Sequence, residues 1–269
     1  MHSIQFVRLF VTVAAIGILS CSKENGDLPS EAKETIESPV ASLVSGVYTP
    51  PVLASQSKRI LVDASRDGGV WWYPQYEATG FSAAQPHQGK VLADYFRSLG
   101  YQVDELGRGT QITWELLSQY NKVIRAGGAG SYTSSEIAAY DSLLARHSAL
   151  LLMQDHHKNF PNDALAQRLN LPFSGAVTGT INRFATHAIT TGVTSHPYIA
   201  GSVIQNPDKN IITVLGTIGT SAAAQESTGS AVMGILHHPT SRVFFIGDVN
   251  RLQQVPQPLT DNMIKWLFQ

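Results

Sequence analysis

From Arg59 onward, short apolar runs alternate with amphipathic stretches, and this alternation restricts the possible folds more than any other feature of the chain. Ile60-Leu61-Val62 ends in Asp63 and the turn-rich Arg66-Asp67-Gly68-Gly69, the pattern of a buried strand followed by a loop. Residues 87–99 carry Val91, Leu92, Tyr95, Phe96 and Leu99 on one stripe and stop at Gly100, which predicts a helix. Residues 101–106 alternate as a strand, 113–120 read as a short helix, and 122–126 as a third strand running into a glycine loop. Thr133 and Glu136 have capping-box spacing ahead of Ile137, Tyr140, Leu143 and Leu144. Residues 149–153 are apolar throughout, as expected of a strand buried on both faces of a parallel sheet. A short helix at 162–169, strands at 211–215, 231–237 and 242–246, and a helix at 261–268 complete the pattern. Strand, helix, strand, helix predicts an α/β domain over residues 58–269. The expected form is a mostly parallel, doubly wound, flavodoxin-like sheet with a C-terminal β-hairpin and a terminal helix.

The N-terminal segment reads as an address. Arg8 precedes an apolar run of 11 residues, 9–19, broken only by Thr12 and Gly17. That suits a signal peptide over residues 1–20 and is too short for a bilayer span, which takes about 20 residues. Ile18-Leu19-Ser20-Cys21 resembles the lipobox of bacterial lipoproteins. The resemblance implies lipid attachment at Cys21 and a place in the cell envelope, at the outer membrane or cell surface rather than the inner membrane. A conventionally cleaved signal with an incidental cysteine is the alternative. Residues 21–57 are rich in Ser, Glu, Lys, Pro and Ala without periodicity, which predicts a tether reaching several tens of ångströms. Ser22-Lys23-Glu24-Asn25-Gly26-Asp27 is similar to the charged segment after the lipid-bearing cysteine in surface lipoproteins of the Bacteroidetes.

Charge and cysteine usage exclude several functions. With 19 Lys+Arg against 20 Asp+Glu, the chain has no cation excess to replace counterions, so a broad nucleic-acid surface is not expected. The single cysteine excludes an internal disulfide framework and any multi-cysteine metal centre. No cofactor is implied.

In open α/β sheets, ligands bind beyond the carboxyl ends of the strands. The residues there are Asp63, Gly127-Gly128-Ala129-Gly130, Asp155-His156-His157 and Gly247-Asp248-Val249-Asn250. Asp63, Asp155, His156 and Asp248 are the candidate catalytic groups, as bases or metal ligands. Gly127, Gly128, Gly130 and Asn250 are candidate ligand contacts, the glycines by presenting N–H groups to an anion. The competing reading makes each Asp a cap of a turn or helix. Trp71 and Trp72 form either a stacking platform for a flat ligand or the cover of a core end. Adjacent His156 and His157 would point to opposite faces of a strand, and the spacing carries no metal signature. Gly128-Ala129-Gly130 also approximates a dinucleotide fingerprint, but its third glycine is Thr133 and the cap delays the helix.

Over residues 59–157 and 231–269 this arrangement resembles the class I glutamine amidotransferase-like superfamily, including its trehalose-utilisation-type relatives. The resemblance implies oxyanion-hole amides at Gly127-Gly128-Ala129-Gly130 and a cysteine nucleophile after the next strand, where this chain has Gln154-Asp155-His156. It also implies a His-Pro-Glu pair near the C-terminus, where His238-Pro239-Thr240 lacks the acid. A thioester route needs a thiolate, and Cys21 lies outside the domain; no Gly-x-Ser-x-Gly elbow replaces it. His237 and His238 are then expected exposed at a hairpin end. The expected function is binding of a small molecule, glycan or protein partner by a nucleophile-less domain. The alternatives are a hydrolase using the strand-end Asp and His residues, with or without a divalent metal, and a purely structural envelope component.

Overall fold

The structure is a computed structural model that describes residues 48–52, 58–67, 72, 86–128, 130–155, 163–219, 231–250, 252, 255 and 257–269. All of them belong to one unit, Glu37–Gln269. Four strands and four helices alternate first: β1 (Arg59–Asp63), α1 (Lys90–Ser98), β2 (Gln102–Leu106), α2 (Trp114–Leu117), β3 (Lys122–Ala126), α3 (Ser134–Leu144), β4 (Ala149–Met153) and α4 (Ala164–Arg168). Then come β5 (Phe173–Phe184), a single 3₁₀ turn (Ala188–Thr190), β6 (His196–Ile204), β7 (Ile212–Ile218), β8 (Met233–Leu236), β9 (Arg242–Ile246) and α5 (Pro258–Phe268).

The nine strands form one sheet in the order β2-β1-β3-β4-β9-β8-β7-β5-β6. The expectation of a mostly parallel, doubly wound sheet is overturned. β1 pairs parallel with β2 and β3, β3 with β4, and β4 with β9, but every other pairing is antiparallel. The antiparallel half also holds the long strands: β5 has 12 residues, β6 nine and β7 seven, against five in each of β1 to β4. The physical reason lies in the connections. A parallel pair needs a crossover of a dozen or more residues, usually a helix, whereas short turns impose antiparallel pairing. After α4 the sequence offers Thr, Gly and Ser in place of amphipathic repeats, and no α-helix lies between β5 and β9 among the described residues.

Side-chain alternation divides the parallel half into two cores. Ile60, Val62, Ile124, Leu151, Phe244 and Ile246 point to the face covered by Leu92 and Phe96 of α1 and Met263, Ile264 and Leu267 of α5. Leu61, Val123, Leu150, Leu152, Val243 and Phe245 point to the face covered by Tyr140, Leu143 and Leu144 of α3 and Leu165 of α4. Both faces of β4 are therefore buried, which is why 149–153 is an unbroken apolar run. β5 instead is exposed or half-exposed along most of its length, with only Phe173 and Ile181 buried, as an antiparallel strand with one face to solvent can be.

The antiparallel half curls back on itself. The amide of Ser202 in β6 donates to the carbonyl of Gly247 just past β9, at 2.8 Å. Ile204 bridges Ala231 ahead of β8. At the other side of the body, residues 48–52 form a strap on the β8–β9 hairpin. The Tyr48 ring stacks on His237 with centroids 4.4 Å apart, its hydroxyl donates to the His238 carbonyl, and Arg242 donates to the Pro51 carbonyl at 3.0 Å. No helix among the described residues is long and apolar enough to cross a membrane.

Candidate functional site

Register fixes one shared rim. Asp63 lies opposite Arg125, Ala126 opposite Met153, and Met153 opposite Ile246. The residues that follow β1, β3, β4 and β9 therefore emerge at the same end of the parallel half. Asp63, Gly127, Gly128, Gly130, Asp155, Asp248 and Asn250 all belong to this strand-end rim. Trp71, His156 and Cys21 lie outside the described residues.

Internal partners hold the acids of the rim. Asp63 is fully buried. Its Oδ2 accepts from the hydroxyls of Tyr132 at 2.8 Å and Tyr140 at 2.6 Å, and its Oδ1 from the amide of Ser65 at 2.9 Å. Burial first, and the Asp63 charge second, push both phenols well above their ordinary range, so they remain donors. Asp248 accepts from the amide of Ile199 at 2.7 Å, and from the amide and side-chain nitrogen of Asn250 at 2.9 and 3.1 Å. It ties the loop after β9 to β6, and Asn250 is directed at Asp248. Asp155 is also buried; its amide donates to Oε1 of its neighbour Gln154 at 3.2 Å.

The glycine loop has a packing explanation. Gly127 has φ +81°, a left-handed conformation that suits glycine, and Asp67 closes over it. A Cβ on Gly128 would strike the Arg125 guanidinium and come within 2.6 Å of Asp163 Oδ2. One on Gly130 would come within 2.8 Å of Arg66 Cδ. The space freed by these glycines is occupied by this chain's own side chains. Arg125, wholly buried in β3, donates to the Gly127 carbonyl at 3.0 Å and pairs with Asp163 at 2.6 Å. Asp163 caps α4 through the amide of Ala166 and accepts from Gln154 Nε2 at 2.8 Å.

The expected start of α3 is present and is closed to an anion. Thr133 and Glu136 form the reciprocal capping box. Glu136 also accepts from the amide of Ile112 at 3.0 Å and from Arg66 through both of its oxygens. Burial pushes the Glu136 carboxyl up, but hydrogen bonds from the amides of Ile112 and Thr133 and from Arg66 outweigh it and hold Glu136 below the usual carboxylate range. A pyrophosphate would find this helix end already filled.

Two expectations are corrected by burial. Trp72 is not a platform: it is fully buried, its indole N–H donates to Glu105 at 2.6 Å, and Gly89 lies flat against its ring. His237 and His238 are not exposed. Both are buried, and both lie at the rim opposite the strand ends, because β8 runs antiparallel to β9. Nδ1 of His237 faces the Asn210 carbonyl at 3.0 Å and Nε2 the Thr213 hydroxyl at 2.7 Å. The carbonyl is an acceptor only, so Nδ1 carries a proton toward it. His238 Nδ1 accepts from the amides of Thr240 and Ser241, and burial lowers its pKa from 6.5 to about 4. The His238-Pro239-Thr240 likeness therefore does not bring a histidine to the rim where the acids sit.

Sequence reasoning missed Tyr132, Tyr140, Arg125, Asp163 and Tyr198 as rim components. One signal was available: Arg125 interrupts an apolar strand, and a buried guanidinium requires a partner. Tyr198 gave none. It is buried in β6, donates to the Ser202 carbonyl, and is pushed well above its usual range by burial and then by the charges of Asp248 and Asp155. No group of three His, Cys, Asp or Glu side chains suited to hold a metal occurs among the described residues.

No protein-family model matches the sequence. No curated protein matches it either. Solved structures do. The N-terminal domain of mmIFT52 aligns with a TM-score of 0.55 at 13% identity, covering 78% of this chain and 97% of that one. A cytoplasmic protein from Salmonella typhimurium aligns at 0.51 and 10% identity, over 78% of this chain and 98% of that one. A ThuA-like protein from Bacteroides uniformis aligns at 0.49 and 13% identity, over 84% and 95%. At these identities the likeness concerns the fold alone, and it rests on the first two alignments.

Proposed function

We propose that this chain is a lipid-anchored envelope protein whose body is an amidotransferase-like domain without the sulfur nucleophile, acting by binding at the strand-end rim. One observation carries the reading: Asp63, Asp248 and the glycine loop of the rim are held by internal partners. A general base or nucleophile needs a lone pair free for the substrate. Asp63 and Asp248 are fully buried, with both oxygens of each turned to this chain's own donors, and Gln154, in the place of the family's cysteine, is tied to Asp163. A rim locked in this way is a rigid platform. The groups it leaves outward, such as exposed Ser131 and Arg108, would meet a small molecule, a glycan or a protein partner.

A glycan array and an envelope-extract pull-down with the full chain test this reading. Retention is expected that Ser131→Arg abolishes while the thermal unfolding midpoint stays unchanged. Retention indifferent to Ser131→Arg and Arg108→Glu would move the binding surface elsewhere. For the anchor, acyl label should enter the wild type and not Cys21→Ser.

A hydrolase is the second reading, and Tyr198 is the observation that favours it, since its phenol lies in the field of both Asp155 and Asp248. It predicts that Asp155→Asn abolishes turnover of a substrate retained by the array while leaving the midpoint nearly unchanged. The binding reading predicts no turnover to lose.

A further inference from the structure

Across the antiparallel half, the strand-end rim continues as a row of aligned residues. Ile246 of β9 lies opposite Met233, Met233 opposite Gly216, and Gly216 opposite Phe184. One step beyond that row, Arg183 of β5 lies opposite Thr217 of β7. Three strand spacings of about 4.8 Å put this pair roughly 14 Å from the end of β9. The register slips between Ile181 and Arg183, so β5 carries one residue more than β7 there, a bulge of the kind that redirects a side chain.

What sets the pair apart is a missing acceptor. Arg183 is half-buried, yet its Nη1 is covered, as is Oγ1 of Thr217, and neither atom has a hydrogen-bond partner. A covered donor left without a partner forfeits its hydration for nothing, and the cost is larger for a charged group. Other guanidiniums of the fold have acceptors: Arg66 has Glu136, Arg125 has Asp163, and Arg242 has the Trp266 carbonyl. The backbone around Arg183 is nevertheless shaped to hold it. Its guanidinium lies against Gly219, where a Cβ would come within 3.2 Å of both Cζ and Nη1. Nδ2 of Asn182 donates to the Gly219 carbonyl at 2.9 Å and so fixes the segment that the guanidinium rests on.

We propose that Arg183 and Thr217 receive an oxyanion group, the carboxylate or phosphate of a small ligand, at the antiparallel end of the rim. A guanidinium presents its N–H donors as a fork that matches two oxygens of either group, and a hydroxyl supplies one donor more. The bound oxygens accept from Nη1 and from the Thr217 hydroxyl, and the ligand's charge replaces the acceptor that the fold omits. The proposal stands on these two side chains and goes beyond the reading of the rim given above, on which it does not depend.

The test measures thermal unfolding of the full chain in sodium chloride, sodium phosphate and sodium acetate at equal ionic strength. Phosphate stabilises folded proteins generally, by exclusion from their surface, so the readout is the gap between wild type and variant rather than either midpoint. For Arg183→Met and for Thr217→Val, the gap should widen by a few degrees in favour of the wild type when the fitting anion replaces chloride. An anion that binds only the fold raises its stability by mass action. Should Arg183→Met fail to fold, Thr217→Val carries the same comparison. Calorimetric titration with the same salts should show binding that is about tenfold weaker in Arg183→Lys, whose ammonium cannot reproduce the fork. Widening in phosphate alone identifies a phosphate, and in acetate alone a carboxylate. A gap that is the same in all three salts for both variants overturns the proposal, and so does anion binding that survives Arg183→Met unchanged. Retention on the array or in the pull-down is not read here, so failure of the rim reading leaves this result standing.

Discussion

Asp63 illustrates how a residue chosen for its chemistry can serve the fold instead. Two buried phenols and one loop amide converge on its carboxylate, so removing it strands three donors in a dry environment. Asp63→Ala should cost about 3 kcal/mol or more, because each stranded buried group forfeits its desolvation compensation. Tyr140→Phe should cost only about 1 kcal/mol, since Asp63 keeps its other two donors. Urea unfolding midpoints of the two variants check the order, and a larger loss for Tyr140→Phe would contradict it. Position was legible in the sequence here, because an apolar run ending in Asp marks the end of a buried strand. Partnership was not. Tyr132 and Tyr140 flank a helix start about 70 residues downstream, and no local pattern links them to Asp63. The same holds for Trp72, whose glycine-flanked setting reads equally as a loop platform or a core plug until Glu105 and Gly89 are seen against it.

Among the elements, α3 shows how one acid can join two parts of the chain. Glu136 closes the capping box, accepts from Ile112 ahead of α2, and binds Arg66 after β1. Thr133→Ala, which removes one cap donor–acceptor side chain, should cost about 1 kcal/mol. Glu136→Ala frees all of these groups and should cost at least twice as much, because the Arg66 pair and a buried amide are lost with the cap. Thermal unfolding of both variants measures the ratio; equal losses would mean that Glu136 acts only as a cap. The alternating elements up to α4 were readable because each carries a full period of burial. β5 and β6 were not, because Ser174, Gly175, Thr178, Gly179 and Thr180 dilute the apolar alternation and Ala200 takes a positive φ inside β6. That gap in legibility produced the wrong sheet. Without two strands after α4, only the expected C-terminal hairpin signalled antiparallel pairing, and not that it would extend to half the pairings.

At the scale of the whole molecule, the rim beneath the strap answers to acid through His238. His238 lies buried and neutral beneath the strap, with Asp141 the charge that favours its proton and burial the larger effect against it. Its pKa is about 4 in the fold against 6.5 when free, so below pH 6.5 the unfolded chain takes up a proton that the fold refuses. Stability from this group is complete above pH 6.5 and is lost as the pH falls toward 4, by up to ~3 kcal/mol. His238→Asn removes the titration, and its stability should be flatter between pH 6.5 and 4.5 in denaturant titrations; an unchanged slope would assign the dependence to other groups. The curl of the antiparallel half has a separate consequence. With Ser202 and Ile204 already engaged by Gly247 and Ala231, β6 offers little free backbone to a foreign strand, which leaves β2 as the margin where another chain could add itself. That margin carries Asp104, 30% exposed and held below the usual carboxylate range against burial by the Tyr120 hydroxyl and then by Arg59, so a crowded population of these molecules would meet charge at the place where fibrils would otherwise begin.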